Sequence, residues 1–448
     1  MIDMLIGKKI GILGFGVEGQ STLRFLLEQG VAPDALTIID KRTDLTLPAW
    51  VHGQLWYDYL DYDVRFDYVV VSPGITKEKR KGTRFEELHT AEQLLSQGHL
   101  FFGMYTGVVI GVTGSKGKST TATFISQMLA RSGKRVSLTG NIGIPVLDVL
   151  GMKPWPEIVV YELSSYMLES LQSFRVDIAV FTSLHEAHIW AHGSVAQYID
   201  AKMNLMNHAD HVLVASQVLT APLLTERASA ALQQKIAAGS AIVFGETGHY
   251  TFADHHFYAN QEPVATDHQF HPLGQHMRYN VCAALGVCDM LGVPRSYFAD
   301  EINAFQGLEH RIELVDTIDG VSRYNDSFAT TVDATVAALE TLHDSVDTLF
   351  IGWEDTGADV AVVVAAIQKS PVRNIVFFPN VGERIAEHLS GYTTLHTSSL
   401  HEAVQRAAQV TRSGRSALLS CGFPSFTMFA NYVERGKAFK KEVGLLKK

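Results

Sequence analysis

Cysteine is scarce, with three in 448 residues. Cys282, Cys288 and Cys421 cannot build a disulfide framework. Cys282 and Cys288 are not at C-x-x-C spacing, and no fourth sulfur exists to complete a thiolate metal site. The expectation is reduced, buried thiols in a cytoplasmic protein. Basic charge is also in short supply: 37 Lys and Arg stand against 47 Asp and Glu, a formal net charge of -10. That excludes the broad basic face of a nucleic-acid binder, although a local glycine loop can still hold a small phosphate ligand. No apolar run reaches the ~20 residues that a membrane-spanning helix needs. The opening stretch MIDMLIGKKIGILGFG lacks the layout of a secretory leader. There is no internal repeat, low-complexity tract or obvious flexible linker. A chain of this length should form two or three domains.

What is present is alternation. KKIGILG, ALTIID and YVVVSPG read as strands, and QSTLRFLLEQG between them reads as an amphipathic helix ending at Gly30. Strands alternating with helices argue for a parallel sheet with crossovers. A second α/β stretch starts at Val108. Its strands are VVIGVTG, RVSLTG, EIVVYELSS, IAVFTSL, HVLVAS and AIVFGE, and its helices include TATFISQMLARSG, VAQYIDAKMNLMN and RYNVCAALGVCDMLGV. Near Leu308 the pattern restarts, with VSRYNDS, TLFIGW, NIVFFPN and ALLSCG as strands. The expected division is 1–107, 108–307 and 308–448.

Four groups of residues carry chemistry. In GVTGSKGKSTT, a glycine loop joins a strand to a helix. Backbone amides at Gly114, Ser115, Lys116 and Gly117 can approach phosphate oxygens, and the helix N-terminus favours the negative charge. Lys118 would neutralise phosphate charge, and Ser119 or Thr120 would hold magnesium. The match to G-x-x-x-x-G-K-[ST] is imperfect, because Val112 stands where the first glycine belongs. In Gly14-Phe15-Gly16-Val17-Glu18-Gly19, a G-x-G-x-x-G follows a strand, and Asp40 ends the next strand at the ~20-residue offset of a dinucleotide fingerprint. On its own that motif would suggest a nicotinamide dehydrogenase, a reading weakened by the ATP-type loop. Glu162 ends EIVVYE, at the strand edge that faces a ligand. His185, His188 and His192 follow, without the H-E-x-x-H spacing of a zinc protease. One histidine together with Glu162 could serve magnesium, and His185 and His192 read as a polar loop without ligands. Lys202, by itself, is an ordinary helix lysine. Arg311 and Asp326, in FQGLEHRIE and YNDSFATT, could reach a nucleotide or form a structural ion pair.

The ordered set GVTGSKGKSTT, GNIGIP, YELSSYMLESL, HIWAHGSVAQYIDAK, LGQHMRYNVCAAL, FQGLEHR, YNDSFATT and SFTMFANYVERG resembles the Mur ligase family over nearly the whole chain. That family adds amino acids to peptidoglycan precursors at the expense of ATP. GFGVEG and VVSPGI most resemble its glutamate-adding members. The resemblance implies a Rossmann-like N-terminal domain, a central P-loop-type ATPase domain and a Rossmann-like C-terminal domain, with the site in the cleft between them. The implied reaction joins glutamate, by default D-glutamate, to UDP-N-acetylmuramoyl-L-alanine through an acyl phosphate. The implied cofactors are ATP and two magnesium ions. Lys118, Ser119 and Thr120 fall on the ATP loop, Glu162 and His188 on magnesium ligands, and Lys202 on a lysine that the family carbamylates. Asn280 falls on an adenine contact, and Arg311 and Asp326 on nucleotide contacts. Gly14, Phe15, Gly16, Asp40, Arg42, Ser72, Pro73, Gly74, Asn141 and Ser164 would face the UDP substrate. Thr330, Ser425 and Phe426 would face the amino acid. The expected partners are small molecules, with no nucleic acid and no membrane, and the expected state is a cytoplasmic monomer.

Departures cluster in the third stretch. Phe328 stands where the glutamate-adding pattern has a lysine, Thr356 replaces a second lysine, and Thr427 replaces an acid. A glutamate side-chain carboxylate in a closed cleft needs a compensating cation, or the amino acid differs. Ligation of L-glutamate is therefore an alternative, as is a non-catalytic nucleotide-binding homologue. Met167 and Met277 replace a family glutamine and asparagine, and neither change removes a magnesium ligand or phosphate lysine.

Overall fold

The computed structural model describes the chain except residues 1, 44, 46, 48–51, 56, 57, 188, 269, 271–273 and 448. For residues 52–55 and 190 it describes the backbone alone. Three β-sheets follow one another along the sequence, each flanked by helices.

The first sheet contains β1 (Ile10–Leu13), β2 (Leu36–Asp40), β3 (His52–Leu55), β4 (Tyr68–Val71) and β5 (Leu94–Leu95). All are parallel, in the order β3-β2-β1-β4-β5. β1 is buried at every position, as a strand covered on both faces must be. The order reverses at β1, and a ligand crevice opens beyond the carboxyl ends at such a point. The GFG turn occupies it and leads into the helix Val17–Glu28. A Cβ on Gly19 would lie 2.1 Å from the Gly14 carbonyl oxygen, so only glycine lets the helix seat this closely on the turn.

The central sheet contains β6 (Val108–Thr113), β7 (Val136–Gly140), β8 (Ile158–Glu162), β9 (Val176–Phe181), β10 (Ala209–Ala215), β11 (Ala241–Gly245), β12 (Tyr250–Ala253), β13 (His256–Ala259) and β14 (Glu262–Thr266). Its order is β14-β13-β12-β11-β10-β9-β6-β8-β7. β6 through β12 pair in parallel, and β12, β13 and β14 form an antiparallel meander at one edge. β6 lies between β8 and β9, again at a reversal of order. The helices Lys118–Arg131 and Gln275–Met290 pack against each other beside it.

The third sheet contains β15 (Glu313–Ile318), β16 (Val321–Asn325), β17 (Val346–Trp353), β18 (Asn374–Asn380), β19 (Thr393–His396) and β20 (Ser416–Leu419). Its order is β15-β16-β20-β17-β18-β19, with β15 alone antiparallel. Alternate residues feed two apolar layers. Leu349 and Ile351 face one, and Phe350 faces the other.

The chain gathers into two compact units. One is Met1–Gln269 with Gln275–Ala304, and the other is Phe270–Gly274 with Phe305–Lys448. The first unit holds two of the three sheets because the helix Val17–Glu28 packs on the helix Val146–Gly151 of the central sheet. There Ser21 Oγ donates to Asp148 Oδ1 at 2.6 Å, and Arg24 Nη2 donates to both oxygens of Asp148 at 3.1 Å. Among the described residues no helix is long and apolar enough to cross a membrane. Cys282, Cys288 and Cys421 are buried free thiols, as their scarcity suggested.

Candidate active site

β6 ends at Thr113, and the chain turns through Gly114 and Gly117 into the helix Lys118–Arg131. Gly114 has φ +150° and Gly117 φ +85°. A Cβ at Gly114 would lie 2.0 Å from Thr182 Oγ1, and one at Gly117 would lie 2.6 Å from Asn280 Oδ1. The loop is stitched to the residues that follow β9. Thr182 Oγ1 donates to the carbonyls of Thr113 (3.1 Å) and Lys116 (2.6 Å), and the Lys116 amide donates to Ser183 Oγ at 2.8 Å. Ser115 Oγ lies 2.6 Å from the Tyr198 hydroxyl and accepts from the His185 amide at 2.8 Å. The loop shape is thus held by the fold itself, ready for an anion. Thr182, Ser183 and Tyr198 were absent from the residues singled out in the sequence. Thr182 and Ser183 sat in view as the hydroxyl pair closing IAVFTSL, at a carboxyl strand end.

β8 delivers Glu162 to the same edge, fully buried. Its Oε1 accepts from Ser119 Oγ at 3.2 Å and from Asn141 Nδ2 at 3.4 Å. Its Oε2 has no hydrogen-bond partner among the described residues. A buried carboxylate oxygen without a donor is costly. Beside the hydroxyl that opens a phosphate-loop helix, it suits a hard divalent cation. Thr120 is buried on the same first turn. Lys202 arrives on the helix Val195–Asn207, which Ser194 caps by accepting from the Gln197 amide. Lys202 is 2 % exposed, and its Nζ donates to the Gly114 carbonyl at 2.7 Å. The Lys118 Nζ donates to the same carbonyl at 2.9 Å and to that of Ser115 at 3.1 Å. Burial, and then the charge of Lys118, hold the Lys202 amine well below the ordinary lysine range. Lys202 is thus no ordinary helix lysine. Asn280 is buried against Gly117.

His188 lies outside the described residues. His185 is exposed, as expected for the polar loop. His192 departs from that expectation: it ends the short helix Ile189–His192 and is fully buried, with Nε2 2.8 Å from Ser165 Oγ. The packing of the following Val195–Asn207 helix draws it inside.

The first sheet builds a second cleft, in the same compact unit. Gly14, Gly16, Asp40, Arg42, Ser72, Pro73, Gly74 and Asn141 line one cavity of about 420 Å³. Asp40 accepts from the Phe15 amide at 2.6 Å, and from the Arg42 amide and Nε at 2.9 Å. Burial raises its pKa, but these donors outweigh burial and hold the carboxyl below the usual range. The Phe15 side chain is buried behind the turn. Ser164 caps the helix Ser165–Ser170, accepting from the Met167 amide.

In the second unit, Asp326 is buried and accepts from Ser420 Oγ at 2.8 Å and from the Ile312 amide at 3.2 Å. Burial pushes its carboxyl up to about 7. The Arg311 guanidinium sits 3.6 Å over the Phe328 ring, so the residue at the lysine position serves as its platform. Thr330 is half-buried, Ser425 is buried, and Phe426 is 68 % exposed. Thr427 donates its amide to Glu354 Oε1 at 2.6 Å.

The family profile described as Mur ligase middle domain matches residues 112–288. The profile described as Mur ligase, glutamate ligase domain matches residues 310–422. A UDP-N-acetylmuramoylalanine–D-glutamate ligase from Pseudomonas syringae pv. syringae is 32 % identical, over 97 % of this chain and 97 % of its own. The chain belongs to the Mur ligase family. A ligase of the same name from Trichlorobacter lovleyi is 30 % identical over 96 % of this chain and 97 % of its own. Among solved structures, a Thermotoga maritima UDP-N-acetylmuramate-alanine ligase superposes with a TM-score of 0.59 at 15 % identity. It covers 98 % of this chain and 99 % of its own. The MurF ligase of that organism, in complex with ADP, gives 0.56 at 15 %, covering 99 % and 97 %. These two share the Mur ligase fold: N-terminal, central ATP-binding and C-terminal α/β domains.

Proposed function

We propose that this Mur ligase joins D-glutamate to UDP-N-acetylmuramoyl-L-alanine at the expense of ATP, in peptidoglycan precursor synthesis. The observation that carries this reading is the meeting of a preformed phosphate loop, the buried Glu162 and the buried Lys202 beside a second cleft, in a chain related end to end to D-glutamate ligases. The substrate carboxylate is a poor acyl donor. Transfer of the terminal phosphoryl group of ATP gives an acyl phosphate and ADP. The amine of glutamate then attacks the acyl carbon, loses a proton, and expels phosphate. Gly114, Ser115, Lys116 and Gly117 would present amides to the phosphates, with Lys118 neutralising charge on the transferring group. Ser119, Glu162 and His188 would hold magnesium, which when bound offsets phosphate charge.

Lys202 is proposed to carry a carbamate. A neutral amine adds CO2 and releases a proton, and burial favours the neutral amine. The product is a carboxylate fit to join Glu162 as a magnesium ligand. We assign Asn280, Arg311 and Asp326 to the nucleotide, and Gly14, Phe15, Gly16, Asp40, Arg42, Ser72, Pro73, Gly74, Asn141 and Ser164 to the UDP substrate. Thr330, Ser425 and Phe426 are assigned to the amino acid. Domain limits at 107 and 307, a monomeric state and a cytoplasmic location complete the proposal.

The test is phosphate release from ATP and magnesium with UDP-N-acetylmuramoyl-L-alanine and either D- or L-glutamate. Release with D-glutamate alone is expected. Release with L-glutamate alone would overturn the stereochemical assignment, and would make Phe328, Thr356 and Thr427 marks of a changed choice. No release from folded protein that binds ATP would overturn the ligase reading.

A further inference from the structure

We propose that the first compact unit carries a second small-molecule site, a partly enclosed cavity for a small carboxylic acid with an apolar body. The cavity measures about 270 Å³ and lies between the first sheet and the helix Ser165–Ser170 of the central domain. Its walls are apolar: Val71, Ile75, Phe85, Leu95, Met167 and Leu171 all line it. A site of this kind takes an apolar body and fixes it with a few polar groups.

Lys77 also lines the cavity but is exposed, and several of the other polar groups are already engaged. Both ring nitrogens of His89 are engaged, one 3.1 Å from the Phe85 carbonyl and the other accepting from the Phe66 amide at 3.3 Å. Gln97 Nε2 donates to the Glu18 carbonyl at 2.7 Å and to Thr22 Oγ1 at 3.0 Å. Ser72 and Ser170 hydroxyls donate to the carbonyls of Gly14 and Met167. The Arg80 guanidinium is different. It sits 5.9 Å from the Phe85 ring centroid, and its buried Nε has no hydrogen-bond partner among the described residues. Two acids feel its charge: Glu86, which accepts from the Gly82 amide at 2.8 Å, and Glu169, whose Oε2 lies 3.5 Å from His192 Nδ1. Glu18 faces the same space, and burial pushes its carboxyl up to about 7, so near neutrality it offers a proton. A guanidinium and a protonated carboxyl, both able to donate, suit one carboxylate, and an unpaired buried donor gains most from a ligand that satisfies it.

Glu18, Ser72, Pro73, Ile75 and Tyr166 line this cavity and also the cleft at Gly14 and Asp40. An occupant would therefore press on the wall of that cleft.

Calorimetric titration of the full chain with 4-phenylbutyrate tests the site directly, without any assumption about ligation. Saturable binding is expected, at least ten-fold tighter than that of 4-phenylbutanamide. It should weaken at least ten-fold in Arg80→Gln and vanish in Leu95→Trp, whose indole would fill the space. Arg42→Gln, which alters the neighbouring cleft, should leave it unchanged. Circular dichroism of each variant checks that it is folded. Absence of binding, equal binding of acid and amide, or loss in Arg42→Gln with retention in Arg80→Gln would overturn the proposal.

Discussion

The proposed chemistry of the central site rests most heavily on Glu162. Its fully buried carboxylate has one oxygen shared between Ser119 and Asn141 and the other without a donor. Glu162→Gln keeps the shape and removes the charge. Phosphate release should fall at least about 100-fold, consistent with losing one stabiliser of a transferring phosphoryl group, while the thermal midpoint holds or rises because a buried charge has gone. A wild-type rate in this variant would contradict the assignment. Lys202 poses a second question. With 13C-bicarbonate, a carbamate carbonyl signal should appear in wild-type NMR spectra and be absent from Lys202→Ala. Asp326 makes a third case. Its folded pKa, about 7, exceeds the unfolded value of 3.8, so the native state holds its proton longer. The stability this lends is complete below the unfolded value and is lost as pH rises through about 7. The loss approaches ~4 kcal/mol as an upper bound. Asp326→Asn should flatten the difference in unfolding free energy between pH 5 and pH 8 measured by urea titration. An unchanged difference would show that the carboxyl is ionised in the fold.

Loops between elements set which of these groups meet. Gly117 needs its left-handed backbone, and a Cβ there would also strike Asn280 Oδ1 at 2.6 Å. Gly117→Ala should weaken ADP binding at least ten-fold by calorimetry. In an Asn280→Ala background, itself weakened by the lost nucleotide contact, the same change should cost less, because the collision is gone and only the roughly 1 kcal/mol backbone cost of alanine in a conformation that favours glycine remains. Equal ADP binding by Asn280→Ala with and without Gly117→Ala would mean that the collision was the whole effect. Local chain signals decide which elements are readable from sequence. The phosphate loop, the GFG turn and the buried strands β1, β6 and β8 were legible because glycine punctuation and unbroken apolar runs are local signals. β5 is only two residues long. β19 reads Thr-Thr-Leu-His with its side chains largely exposed, and β15 is likewise mixed. Such edge strands owe their form to neighbours rather than to their own pattern. The meander β12–β14 was missed because its short strands, only one of them at the sheet edge, carry no unbroken buried run. Glu162 was legible from its place at a strand end, but the depressed amine of Lys202 depends on burial and on the charge of Lys118, far away in the sequence. That fact exists only once the helix Val195–Asn207 has docked.

Two compact units with separate cores should unfold as two transitions, although the chain carries three sheets. The helix pair Val17–Glu28 and Val146–Gly151, with Asp148 holding Ser21 and Arg24, gives the first two sheets a shared fate. Among the described residues, each unit also contains a carboxyl pushed up to about 7 by burial: Glu18 in the first and Asp326 in the second. Each carboxyl takes stability from its own unit between pH 5 and pH 8, against the opposite contribution of histidines that burial holds below their ordinary value, among them His99 in the first unit and His310 in the second. In differential scanning calorimetry, Glu18→Gln should reduce the pH dependence of one transition, and Asp326→Asn that of the other. ADP identifies which is which. The phosphate loop belongs to the first unit, so ADP with magnesium should raise the transition that Glu18→Gln alters, by ~2.7 kcal/mol at a hundred times the dissociation constant. If both variants altered the same transition, the chain would be melting as one body, and the division at Phe305 would have no energetic meaning. If ADP raised only the transition sensitive to Asp326→Asn, the phosphate loop at Gly114 would not be the dominant nucleotide anchor.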